Sequence, residues 1–107
     1  MEIKQYQIVR VNLDPLAENE SNKTEPCVVV SPEEMNRHLN TVMIAPVLTI
    51  PQKYPTRIRI KKANIHGRVA LDQIMTIDRN RVTEMIDDCS RASIRKMKSI
   101  IREMLVA

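Results

Sequence analysis

Only one stretch of this chain carries a long helical period, and it lies near the C-terminal end. There Ile94, Met97, Ile101, Met104 and Leu105 recur at three- and four-residue steps behind Ser90, a good helix N-cap. Almost everything before it is broken into short apolar runs separated by polar or proline-bearing segments. A chain of 107 residues built this way is restricted to a small curled sheet or barrel whose open side the helix covers. The helix's other face is basic, through Arg91, Arg95, Lys96, Lys98 and Arg102.

Gln7 to Leu13 sets Val9, Val11 and Leu13 against Ile8, Arg10 and Asn12 and reads as a half-buried strand that Asp14-Pro15 ends. Leu16 to Glu25 is polar and aperiodic and reads as a loop. Cys27 to Val30 is a short apolar strand. Ser31-Pro32-Glu33-Glu34 has the form of a helix start, with Ser31 as cap, Pro32 at the first helical position and the acids near the positive dipole end. Thr41 to Leu48 reads as a strand through the middle of the sheet, and Thr49 to Pro55 as a polar loop. Thr56 to Ile60 puts Ile58 and Ile60 on one side and Arg57 and Arg59 on the other. Arg68 to Leu71 and Ile74 to Ile77 are further strands, Asp78 to Arg81 is a turn, and Val82 to Ile86 is the last strand. Gly67, the single glycine, is expected in a turn with His66 before it.

With two tyrosines, Tyr6 and Tyr54, as the whole aromatic complement, the core must be aliphatic. A formal charge of +4 and a pI near 9.3 fit a negatively charged partner, either nucleic acid or an acidic protein segment. Cys27 and Cys89 lack any metal-ligand spacing, so neither a metal nor a cofactor is expected. No long apolar stretch or leader pattern suggests a membrane or secretion, which leaves the cytoplasm as the expected compartment.

Several fragments, in order, resemble a known family: Val11-Asn-Leu-Asp-Pro15, Lys23-Thr24 before Pro26-Cys-Val-Val-Val-Ser-Pro32, and Met35-Asn-Arg-His38. Ile44-Ala-Pro46, Tyr54-Pro-Thr-Arg57 and Leu71-Asp-Gln-Ile74 leading to Thr76-Ile-Asp-Arg79 continue the series. Together they are similar to the MazF/PemK growth-inhibitor toxins along essentially the whole chain. The resemblance implies a single domain over residues 1–107, mainly β with a C-terminal helix: an SH3-like small β-barrel of the CcdB/MazF/PemK type, homodimeric. It further implies a sequence-specific, metal-independent endoribonuclease that binds single-stranded RNA and is restrained by a cognate antitoxin peptide. The same fold also carries gyrase poisons, so fold alone does not decide function.

In the ribonuclease branch a ribose 2′-hydroxyl attacks its own 3′-phosphate, and an arginine fork neutralises the developing charge. The family places that arginine just before the proline opening the second strand, where this chain has Glu25. A threonine one residue after the Ala-Pro-hydrophobic stretch completes the phosphate site; here that residue is Leu48, and the hydroxyl follows at Thr49. In the first loop Glu18-Asn19-Glu20 matches only at Glu20, and Met75 stands where an arginine often follows Asp-Gln-Ile. The candidate RNA-contact positions are Glu20, Asp72 and Gln73, which match the family pattern, and Lys53 and Arg57 on the basic strand face. Asp72 and Gln73 fit either RNA contact or strand-tying hydrogen bonds. The basic face of Arg57 and Arg59 with Lys53, Lys61 and Lys62 fits either a phosphate track or a charge-protected edge strand. The expectation is a toxin homologue with impaired cleavage; the alternative is a non-catalytic module that binds antitoxin or RNA.

Overall fold

The apolar runs beginning at Cys27 and Val42 are buried on both faces, and that sets the layout. The computed structural model describes residues 2–13, 24–51 and 53–106. Its strands are β1 (Gln7–Asn12), β2 (Thr24–Val29), β3 (Thr41–Leu48), β4 (Arg57–Lys62), β5 (Ile65–Ala70), β6 (Met75–Asp78) and β7 (Val82–Asp88). A short helix α1 (Glu33–His38) joins β2 to β3, and α2 (Arg91–Leu105) follows β7. The strands form one antiparallel sheet in the order β4-β5-β3-β2-β1-β7. β3 is shared: its first half pairs with β6, from Thr41↔Asp78 to Ile44↔Met75, and its end pairs with β5 through Val47↔Val69 and Leu48↔Arg68. The 3₁₀ turn Leu71–Gln73 lies between these two pairings.

Side-chain alternation then builds two cores on opposite faces. Val9, Val11, Cys27, Val29, Val42 and Ile44 pack with Ile3 and Val82 on one face. Ile8, Val28, Ala45, Val47, Ile58, Val69 and Leu71 pack with Met97 of α2 on the other. Met97 is fully buried, and Ile94, Ile101 and Met104 lie against the same cluster. Ser90 caps α2 by accepting a hydrogen bond from the Ser93 amide at 3.1 Å. The edge strands β4 and β7 are tied at one end by Lys62, whose Nζ donates to the Asp88 carbonyl and lies 3.7 Å from the Asp87 carboxylate. The mainly β, curled antiparallel architecture with one terminal helix is the expected one. No helix among the described residues is long and apolar enough to cross a membrane.

Several local expectations are corrected. Leu105 is 69% exposed although its neighbour Met104 still packs against the core, so it is not one of the buried positions of α2. Thr24 and Glu25 belong to β2, where pairing with Asn12 and Val11 overrides their polarity, and Leu71 belongs to the 3₁₀ turn rather than to a strand. Ser31 does not cap α1; Pro32 is the N-cap. The Ser31 hydroxyl is buried instead, donating to Asn36 Oδ1 at 2.5 Å and accepting from the Met43 amide at 3.0 Å. Glu18, Asn19 and Glu20, with most of the expected first loop, lie outside the described residues.

Gly67 and His66 are in β5, not in a turn. The β4–β5 reversal is made by Ala63 and Asn64, both at positive φ (50° and 67°), between the paired Lys62 and Ile65. Gly67 answers to a close approach: a Cβ there would sit 2.5 Å from the Leu48 carbonyl oxygen and 2.8 Å from Val47 Cγ1. One neighbour is backbone and cannot turn aside, so Gly67→Ala should destabilise the fold by about 1–3 kcal/mol, read as a lower urea midpoint. A midpoint equal to that of the unaltered chain would show that β3 and β5 are not in this contact.

Both cysteines are free and buried. Burial, and secondarily the Glu25 charge, pushes the Cys27 thiol up to about 12. The neutral thiol is therefore favoured in the folded state. Its stabilisation is complete below the ordinary thiol range and is lost as pH rises from about 9 towards 12, at roughly 1.4 kcal/mol per pH unit. Urea unfolding at stepped alkaline pH should show this slope, and Cys27→Ala should flatten it by that amount.

Candidate nucleic-acid interface

The β2–β3 register is Cys27↔Pro46, Val28↔Ala45 and Val29↔Ile44. Continued by two residues, it sets Glu25 across from Leu48. Because side chains alternate, Glu25 shares the face of Cys27 and Val29, and Leu48 that of Val42 and Ile44, which is the same face of the sheet. Two of the positions at which the resemblance implies other residues thus lie on one sheet face, just beyond the paired segment. Glu25 is exposed and Leu48 half-buried. β3 ends at Leu48, so strand alternation no longer aims Thr49, which is exposed just beyond it.

Across its other edge Leu48 pairs with Arg68, and Arg68 pairs with Arg59 of β4. Leu48, Arg68 and Arg59 therefore form one row over three strands, spanning about 10 Å at the usual strand spacing. Beside this row is an open depression of about 380 Å³ lined by Leu48 to Pro51, Arg59 and His66 to Arg68. Arg68 escapes a reading of the sequence, because only the two-residue reversal at Ala63-Asn64 places it opposite Arg59.

Arg57 and Asp72 hold each other. Arg57 Nε donates to Asp72 Oδ1 at 3.3 Å and Nη2 to Oδ2 at 3.2 Å, while Thr56 Oγ1 donates to Oδ1 at 3.0 Å. The guanidinium lies 4.6 Å from the centre of the Tyr54 ring. The Arg57 hydrogen bonds hold the Asp72 carboxyl below the usual carboxylate range, and the same bonds raise Arg57. This cluster ties the start of β4 to the 3₁₀ turn. Gln73 is exposed next to it, and Lys53 is exposed in the segment before β4. The structure thus puts Glu25 and Leu48 on one sheet face, sets Leu48 and Thr49 at the rim of the depression, and joins Arg57 to Asp72 elsewhere.

Residues 4–105 match the family described as PemK-like, MazF-like toxin of type II toxin-antitoxin system. No curated protein sequence matches the chain. Among solved structures, an endoribonuclease in complex with its cognate antitoxin from a mycobacterial species superposes with a TM-score of 0.81 at 20% identity, over 97% of this chain and 95% of that one. A MazE-MazF structure from Deinococcus radiodurans gives 0.84 at 19% identity, over 99% and 98%. A Mycobacterium tuberculosis MazF toxin gives 0.75 at 19% identity, over 91% and 93%. At such identities these structures establish the shared fold, and the family match adds the lineage: the chain belongs to the PemK/MazF-like toxins of type II toxin–antitoxin systems.

Proposed function

We propose that this chain is a MazF-like toxin homologue that binds single-stranded RNA but cleaves it poorly by the family's chemistry. The observation that carries the reading is the placement of Glu25 and Leu48 on one sheet face just beyond the β2–β3 pairing, an anion and an alkyl group where the resemblance implies an arginine and a threonine. An arginine would donate two hydrogen bonds to a phosphate as negative charge builds; Glu25 donates none and repels it. Two unit charges about 4 Å apart interact by roughly 4 kcal/mol at an effective dielectric near 20, and at this position the sign is reversed. Loss of one positioned electrostatic or proton-transfer group costs about 10²- to 10⁴-fold in rate.

The reading also takes the chain as a homodimer restrained by an antitoxin peptide in the cytoplasm. It is supported by the solved relatives described as toxin–antitoxin complexes and by a basic surface suited to an acidic partner. The test is direct. The purified chain, incubated with mixed-sequence RNA in the presence of a chelator, should retard the RNA on a gel and leave it intact. Rapid chelator-resistant cleavage would sink the proposal and pass the catalytic role to other groups.

A further inference from the structure

The sheet surface beyond Leu48 carries two cations, Arg59 and Arg68, with no carboxylate partner among the described residues. Arg59 and Arg68 are directly opposite each other on β4 and β5, where facing Cβ atoms stand about 4.5–5.5 Å apart. Like charges in that position repel and are ordinarily relieved by a carboxylate. Elsewhere the chain provides one: Arg10 lies 3.8 Å from Glu84, Arg57 lies 3.2 Å from Asp72, and Lys62 lies 3.7 Å from Asp87. Among the described residues neither Arg59 nor Arg68 enters an ion pair. Both instead line the depression of about 380 Å³, opposite the apolar wall of Leu48, Ile50 and Pro51.

The geometry points to a phosphate-binding site made by Arg59 and Arg68 together. Two guanidinium forks converging from adjacent strands can donate to the oxygens of one phosphate, and the bound dianion or diester cancels their mutual repulsion. The apolar wall beside them takes the uncharged part of the ligand, a ribose or base. The inference stands on this pair alone and does not require that cleavage be impaired. A phosphate of an RNA backbone and that of a small molecule share this chemistry, and the probes separate the two sources.

The full chain is titrated with inorganic phosphate, with uridine 5′-monophosphate and with a short single-stranded RNA, followed by backbone amide shifts. Expected are shifts confined to Leu48, Ile50, Arg59 and His66 to Arg68 for at least one probe. Arg59→Gln/Arg68→Gln should weaken that probe's binding by at least about tenfold, since each lost charged hydrogen bond is worth about that much. Arg59→Lys/Arg68→Lys, which keeps charge and loses the forks, should fall between. If RNA is the ligand, the double Gln variant should also lower the logarithmic salt slope by about 0.7 for the one phosphate lost. Relief of repulsion means the Gln variant should melt no lower than the unaltered chain, so lost binding cannot be ascribed to unfolding. Binding of the small phosphates only assigns a small-molecule site, and binding of RNA only assigns a backbone site. The inference is overturned if no probe binds, if the double Gln variant binds undiminished, or if a polyglutamate peptide alone shifts these amides.

Discussion

Glu25→Arg combined with Leu48→Thr is expected to confer chelator-resistant RNA cleavage at least about 10²-fold, and up to about 10⁴-fold, faster than the unaltered chain. The expectation rests on register. The two side chains share one sheet face two residues beyond the Cys27↔Pro46 pair, so an arginine and a threonine placed there are expected to reach a common phosphate. Each single change should give much less than half of the logarithmic gain, because groups acting as a unit are strongly non-additive and Leu48→Thr alone leaves the anion in place. The measurement is single-turnover cleavage of end-labelled RNA, alongside growth of cells expressing each variant. A double variant that still binds RNA and cleaves no faster would place the deficiency outside this pair.

Leu71→Ala should be the most damaging single truncation near the site, at about 2–5 kcal/mol, lowering the melting temperature by about 10 °C or more. Leu71 is fully buried in the cluster that receives Met97, and its amide donates to the Thr56 carbonyl at 3.1 Å. Removing the side chain opens a cavity under the 3₁₀ turn and frees the next residue, Asp72, from the position in which it meets Arg57. Asp72→Asn is the matched control. It breaks the partly exposed ion pair and leaves the core intact, so it should cost only up to about 1 kcal/mol. Equal losses for the two variants would show that the ion pair, not core packing, holds the turn.

Burial explains why some elements were legible in advance and others were not. β1, β3 and α2 carry their period in the residues themselves: Val9 and Val11, the run from Val42 to Val47, and Ile94, Met97 and Ile101 are the positions the two cores enclose. A glycine in isolation signals a turn, whereas the constraint on Gly67 is a carbonyl from a strand some twenty residues away in sequence. Ser31 follows the same logic. Its hydroxyl suits a helix cap, but Met43 and Asn36 offered buried partners that a local reading does not contain.

Glu25 and Leu48 show the same division. The residue types, an anion before Pro26 and an alkyl chain after Val47, and their departure from the pattern of the resembling family are properties of the sequence alone. So are the strand periods, the cap of α2 and the aliphatic nature of the core, because each depends on neighbours within a few residues. Tertiary structure decided which groups meet. Antiparallel register puts Glu25 and Leu48 on one sheet face and sets Arg59 across from Arg68, and the fork of Arg57 closes on Asp72 across the sheet edge. Pairing between strands is fixed by backbone hydrogen bonds and two-sided burial over the whole sheet. A shift of one residue would have turned every one of these side chains to the opposite face.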